Sequence, residues 1–251
     1  MFGLPDGVAA CLFDMDGVVT KTAIVHAAAW KQMFDDFLRE RATETGTEFV
    51  PFDSDHDYGN YVDGKPRLDG TKSFLESRGI ELPDGSPDDK PGTPTINGLS
   101  NRKNDLVLVK LEENGVQVYD DTITYIKAVR DGGLATAIVS SSANTRQVLD
   151  VAKIADLFDV RVDAQYAKEH NLHGKPAPDT FLAAAKALNA PAKQAVVFED
   201  AQSGVAAGHA GHFALVVGVD RVNQAEALRE HGADVVVEDV TDLLKQDGGA
   251  R

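Results

Sequence analysis

Leu12-Phe13-Asp14-Met15-Asp16-Gly17-Val18-Val19-Thr20 continues an apolar run that begins at Val8, and it places two carboxylates two positions apart just past that run. Residues 8–13 read as a buried strand, because a short continuous apolar stretch ending in a turn signal suits a strand covered on both faces. In an open parallel α/β sheet, ligands gather at the carboxyl ends of the strands, so Asp14 and Asp16 are expected at the mouth of a site. Gly17 lets the backbone turn sharply behind them. A carboxylate nucleophile beside a carboxylate acid/base, with a hard cation to hold phosphate, is one chemistry this pattern serves. Two solvated aspartates at a strand end are the other reading of the pair alone.

From about residue 116 apolar strand-like runs recur at 134–139, 160–162, 195–198, 214–219 and 235–237, with helix-like stretches at 145–154, 178–188 and 203–211. This alternation predicts a doubly wound parallel α/β sheet with helices on both faces. The first strand belongs to that sheet but lies more than a hundred residues upstream, far more than a crossover needs. The intervening segment is therefore expected to be an inserted α-helical cap domain, residues 21–116, leaving 1–20 and 117–251 as the core domain. Within the insert, helices are expected at 24–41, 70–78 and 97–114. The polar stretches 43–66 and 82–95, rich in Gly, Pro and Asp, read as loops. Residues 246–251 are expected to fray.

The chain has 251 residues and a formal charge of −15. An acidic surface argues against nucleic acid, whose backbone calls for Lys and Arg, and it means a phosphate substrate needs local cations. The single cysteine, Cys11, rules out an internal disulfide framework and lies inside the apolar strand, where it reads as core. No apolar run approaches the roughly 18–20 residues of a membrane span, and no secretory signal is visible, so a cytoplasmic protein is expected.

Three further features carry chemistry. Ser140 ends the run 134–139 and opens Ser140-Ser141-Ser142-Ala143-Asn144. Hydroxyls between a strand and a helix can bind phosphate, or simply cap the helix. Lys175 lies in Gly174-Lys175-Pro176-Ala177-Pro178-Asp179, where two prolines stiffen the backbone so that the ammonium can act as a fixed charge. Glu199-Asp200 directly follows the run 195–198. If that strand neighbours the first, its carboxylates meet Asp14 and can share a cation; alone they read as acids favoured by a helix N-terminus.

The order Asp-x-Asp, Ser, Lys, Asp resembles the haloacid dehalogenase superfamily, most of whose members transfer phosphoryl groups through an aspartyl-phosphate. The resemblance implies a Rossmann-like core with Asp14 as nucleophile and Asp16 as general acid/base. It implies that Ser140 and Lys175 hold the transferring phosphate. It also implies that Mg²⁺ is bound by Asp14, the carbonyl of Asp16 and Asp200, with Glu199 close by. Asp16 favours phosphoryl transfer over dehalogenation, since a second aspartate suits protonation of a leaving oxygen.

The insert resembles that of the β-phosphoglucomutases. The matching stretches are His26-Ala27-Ala28-Ala29-Trp30, Gly64-Lys65-Pro66-Arg67 and Arg102-Lys103-Asn104-Asp105, together with Ser142 and Asn144. The resemblance implies that His26, Trp30, Gly64, Lys65, Arg67, Lys103, Ser142 and Asn144 contact substrate, Arg67 opposing the non-transferring phosphate with Ser142 and Asn144. From the residues alone, Trp30 reads as core. The implied reaction interconverts β-D-glucose 1-phosphate and glucose 6-phosphate through glucose 1,6-bisphosphate in a monomer. A Mg²⁺-dependent sugar-phosphate phosphatase is the alternative, and a non-catalytic phospho-ligand sensor the more distant one. The chain departs from the pattern at Lys21, where an acidic residue is common, and at Ala143, where better-known mutases carry a phosphate-binding lysine; Arg146 lies one helical turn along. The longer loop 43–66 contains Asp53-Ser54-Asp55-His56-Asp57, which reads as a solvated acidic loop rather than a metal site.

Overall fold

A computed structural model describes residues 2–245. The expected fraying of 246–251 falls outside them. The chain forms two compact units, Met1–Lys21 with Val116–Arg251, and Thr22–Gly115.

The first unit opens with β1 (Ala10–Phe13), whose four residues are fully buried. The chain then enters the second unit, built on α1 (Ala23–Thr45), α2 (Arg67–Ser77) and α3 (Ile96–Asn114). Trp30, Phe34 and Leu38 recur every four residues along α1 and so share one buried face. Phe34 stacks on Trp30 and on Phe52, each at 5.3 Å between centroids, and meets Phe74 of α2 at 4.1 Å. Burying one such ring contributes about 1.5–3 kcal/mol, which makes this cluster the unit's main anchor. The Thr95 hydroxyl accepts from Gly98 N–H at 2.9 Å and fixes where α3 starts.

The stretch 43–66 is less loop-like than expected. Helix α1 runs on to Thr45, and Tyr58–Val62 form a π-helical turn. Its acidic cluster needs correction at Asp57, which is buried rather than solvated. Asp57 Oδ2 accepts from Asp53 N–H at 2.9 Å and from Arg78 Nη2 at 2.7 Å. Desolvation pushes the Asp57 carboxyl up, but the Asp53 amide and the Arg78 guanidinium outweigh it and hold the group below the usual carboxylate range. Asp53 in turn accepts from the amides of Asp55 at 2.9 Å and His56 at 2.7 Å. The cluster is thus a knot tying the loop to the residue after α2.

Back in the first unit, α4 (Asp120–Asp131) adds a helix to the expected set. Its buried residues Thr122, Tyr125, Ile126 and Val129 carry the i, i+3, i+4, i+7 spacing of a one-sided helix. The chain continues through β2 (Ala135–Val139), α5 (Thr145–Ala152), β3 (Val160–Val162), α6 (Ala164–Glu169), α7 (Asp179–Ala187) and β4 (Ala195–Glu199). It closes with α8 (Gln202–Ala210), β5 (Leu215–Val219), α9 (Ala225–Glu230) and β6 (Val235–Val237). The six strands are parallel in the order β3-β2-β1-β4-β5-β6. Strand order reverses around β1, which therefore stands at the switch point where ligands bind in such sheets. On one face Leu12, Val139, Val197 and Phe181 pack into a continuous core. Cys11 is buried, and burial pushes its thiol up. Among the described residues no helix is long and apolar enough to cross a membrane.

Candidate active site

β1 pairs with β2 on one side and β4 on the other. This register brings the residues after three strand ends together: Asp14 after β1, Ser140 after β2, and Glu199-Asp200 at the end of β4. Asp14 is fixed from behind by its own amide, which donates to Phe198 O at 2.9 Å. Lys175, from the loop between α6 and α7, is fully buried. Its ammonium forms ion pairs with Asp14 and Glu199, the latter at 2.5 Å, and reaches Val139 O at 3.4 Å. The Lys175–Pro176 peptide is cis.

The electrostatics follow from this packing. Burial pushes the Asp14 carboxyl well above its ordinary value; Lys175 opposes the shift, while Glu199 and Asp16 reinforce it. Desolvation alone would lower the Lys175 ammonium, but Asp14 and Glu199 outweigh it and hold it above the usual lysine value. One carboxylate oxygen from each of Asp14, Glu199 and Asp200 lies within 4.8 Å of the others. With all three carboxylates ionised, the one ammonium leaves two negative charges, which is costly in a buried site. A divalent cation with a preference for oxygen ligands supplies that balance, so the donor set fits a hard metal ion.

Two glycines make room for these acids. Gly17, at φ +96°, has no side chain where a Cβ would fall 1.8 Å from Asp200 Oδ2. Gly204 in α8 leaves the space in which a Cβ would lie 1.7 Å from Glu199 Oε1. Gly204 was not among the expected site residues; its only signal is its position five residues after a strand-terminal acid. Glu199 Oε2 accepts from Ala201 N–H at 3.0 Å, completing its support.

Asp16 is half-buried, with its Oδ2 3.5 Å from Ser140 Oγ. The hydroxyls after β2 shape the loop rather than the helix end. Ser140 Oγ accepts from Ser142 N–H at 3.1 Å, and Ser142 Oγ accepts from Asn144 N–H at 3.2 Å. Asn144, the residue preceding α5, makes no side-chain cap. Ala143 and Arg146 are both exposed.

The helical unit brings three of its expected residues together. Lys103 Nζ lies 2.8 Å from His26 Nδ1 and 4.6 Å over the Trp30 ring. Lys103 is 5 % exposed, which removes it from the class of solvated lysines. Trp30 is 2 % exposed and sandwiched in the aromatic cluster, so its place is that of a core residue beneath Lys103 rather than a surface one. Lys65, after the turn at Gly64, donates to Ser73 Oγ at 3.0 Å. Arg67 opens α2, and its carbonyl accepts from Thr71 Oγ1 at 2.9 Å. Partial burial lowers both cations from their ordinary values; Asp69 opposes the shift at Lys65 and Asp105 at Arg67.

Comparisons with known proteins agree with this geometry. Residues 8–212 match the haloacid dehalogenase-like hydrolase family. A β-phosphoglucomutase of Mycobacterium bovis is 55 % identical over 247 residues, covering 97 % of this chain and 94 % of that protein. A β-phosphoglucomutase of Bacillus subtilis is 29 % identical, covering 93 % and 91 %. The crystal structure of a β-phosphoglucomutase from Clostridium difficile superposes with a TM-score of 0.73 at 25 % identity, covering 96 % of each chain. With the strand order, the carboxylate cluster and its buried lysine already placed, these matches settle the kinship: the chain belongs to the haloacid dehalogenase-like hydrolase family, in its β-phosphoglucomutase-like branch.

Proposed function

We propose that this protein is a β-phosphoglucomutase, interconverting β-D-glucose 1-phosphate and glucose 6-phosphate through glucose 1,6-bisphosphate. The observation that carries the reading is Asp14 at the switch point of the sheet, ion-paired to buried Lys175, with a second aspartate two residues on beside Ser140. The Mycobacterium bovis relative supports the same reaction.

The chain's own residues account for the steps. An Asp14 oxygen attacks a phosphorus of the bisphosphate, and the P–O bond to the sugar breaks. Asp16, protonated, gives its proton to the departing sugar oxygen. In the return step Asp16 takes the proton from the sugar hydroxyl that attacks phospho-Asp14. The Ser140 hydroxyl and the Lys175 ammonium donate to the phosphoryl oxygens, because such a transfer calls for positioning and charge neutralisation more than covalent help. The residues that would hold Mg²⁺ are Asp14, Asp200 and the Asp16 carbonyl with Glu199 beside them, and when bound the ion would neutralise charge on the phosphoryl oxygens. A mutase also needs a grip on the second phosphate. Ser142 and Asn144 in the loop after β2 serve it, and Arg67, Lys65, Lys103 and His26 are the helical unit's candidates; a guanidinium is well matched to a dianionic phosphate.

The test is isotopic. Protein incubated with ³²P-labelled glucose 1,6-bisphosphate should carry acid-labile label, and a chase with unlabelled β-glucose 1-phosphate should move that label onto sugar. Label that leaves only as inorganic phosphate would point to the phosphatase instead. An Asp14→Asn variant should take up none; undiminished labelling would remove Asp14 from the role.

A further inference from the structure

The segment 220–224, which follows β5, touches both halves of the acidic site. Gln224 Nε2 donates to Asp200 O at 2.9 Å. Arg221 Nε donates to Gly17 O at 3.4 Å. Gly17 and Asp200 are the two residues that approach so closely that any side chain at 17 would overlap the Asp200 carboxylate. The two contacts therefore grip the opposite sides of one junction.

The grip is itself rigid. Asp220 is buried, and its Oδ1 accepts from the amides of Val222 at 3.1 Å and Gln224 at 2.9 Å. Arg221 is held along its length. Nη1 donates to Glu238 O at 2.7 Å, and Nη2 donates to both Asp121 oxygens at 3.2 and 3.0 Å and to Thr122 Oγ1 at 3.1 Å. Its guanidinium lies 3.9 Å over the Tyr119 ring. Asp121 also accepts from Val240 N–H at 3.0 Å. A side chain so fully committed has little freedom to move, and the carbonyl it meets is fixed with it.

We infer that Arg221 and Gln224 are positioning residues, a clamp that sets the spacing between the Asp14–Gly17 turn and Asp200 and so the affinity of the site for its divalent cation. The inference rests on the proposed reading of that site as a Mg²⁺-dependent one. Each residue acts through a backbone carbonyl, Arg221 on the residue after Asp16 and Gln224 on Asp200 itself.

The experiment uses the full chain with Mg²⁺ as the probe. Gln224→Met keeps the length of the side chain without the donor; Arg221→Lys keeps the charge without the fork. Mg²⁺ binding is measured by calorimetry on metal-free protein, beside steady-state turnover of β-glucose 1-phosphate and thermal melting. Losing one such hydrogen bond is expected to weaken Mg²⁺ binding by about threefold to tenfold. The half-saturating Mg²⁺ concentration should rise by the same factor, while the KM for sugar phosphate at saturating Mg²⁺ stays at the wild-type value. Gln224 is half-buried and directly precedes α9, and its side chain makes fewer contacts than Arg221, so its variant keeps the test open if Arg221→Lys fails to fold. Wild-type Mg²⁺ affinity in Gln224→Met, with any loss confined to melting temperature or kcat, would overturn the clamp while leaving the proposed reaction intact. Wild-type protein that binds no Mg²⁺ would overturn the cation reading, and the clamp with it.

Discussion

Lys175 Nζ and Glu199 Oε1 lie 2.5 Å apart, with both side chains closed to solvent. The same ammonium also pairs with Asp14, so one buried cation holds two acids contributed by neighbouring strands. Breaking a buried pair by removing one partner typically costs about 3–5 kcal/mol. Lys175→Met is therefore expected to lower stability by that order in metal-free protein, and to lose turnover when Mg²⁺ is supplied. Mg²⁺ should restore part of the stability, since it meets the same unbalanced carboxylates. Denaturant melts with and without Mg²⁺ check this; an unchanged midpoint in metal-free protein would mean the pair carries no net stability.

Asp16→Asn keeps the size of the side chain and removes its proton transfer. Turnover is expected to fall by about 10²–10⁴-fold. The Asp16 carboxylate lies outside the cluster formed by Asp14, Glu199 and Asp200, so Mg²⁺ affinity should change little. A large loss of Mg²⁺ affinity with normal turnover at saturating metal would assign Asp16 to the cation instead.

Arg67→Ala separates the second phosphate grip from the chemistry. Losing a charge-assisted hydrogen bond costs about 1.5–3 kcal/mol, or about tenfold to hundredfold in kcat/KM for the sugar phosphate. Phosphorylation of Asp14 by acetyl phosphate should stay near normal, because that donor has no second phosphate. An equal fall in both rates would make Arg67 a structural residue of α2.

Asp57 offers a pH test of the helical unit. Its folded-state carboxyl is held below the usual range, so the ionised form is the one the fold favours. The stability it contributes is fully present above the unfolded value, about 3.9, and is lost as pH falls through the lower folded value. Asp57→Asn should destabilise the protein by about 1–3 kcal/mol at neutral pH, and the difference from wild type should shrink below about pH 4. A gap between the two melting curves that stays constant down to pH 2 would show that the Arg78 and Asp53 contacts do not depend on this charge.

The fold was legible in the sequence where burial leaves a pure signal. Strands covered on both faces read as apolar runs, and the edge strand Val160–Val162 was found at its observed bounds. Strand adjacency was not readable. That Glu199-Asp200 would meet Asp14 depended on β4 lying beside β1, which only the pairing register settles. Helix α4 carried a readable spacing, Thr122, Tyr125, Ile126 and Val129, but its polar start resembles a loop. The acidic stretch 53–57 misled because its partner, Arg78, lies 21 residues away and composition does not show that pairing. Asp14, Asp16, Ser140, Lys175 and Asp200 stood out by their order along the chain, which resembles the haloacid dehalogenase superfamily; taken singly, each also has an ordinary structural reading, such as helix capping at Ser140. Arg221 and Gln224 did not, since they act through backbone carbonyls that leave no mark on residue type.

The most direct measurement is ³¹P NMR of β-glucose 1-phosphate incubated with the protein, Mg²⁺ and catalytic glucose 1,6-bisphosphate. A mutase working through phospho-Asp14 converts the starting resonance into that of glucose 6-phosphate, with total sugar phosphate conserved. The appearance of inorganic phosphate alone, with no glucose 6-phosphate formed on the way, would contradict the assignment and leave a sugar-phosphate phosphatase on the same fold.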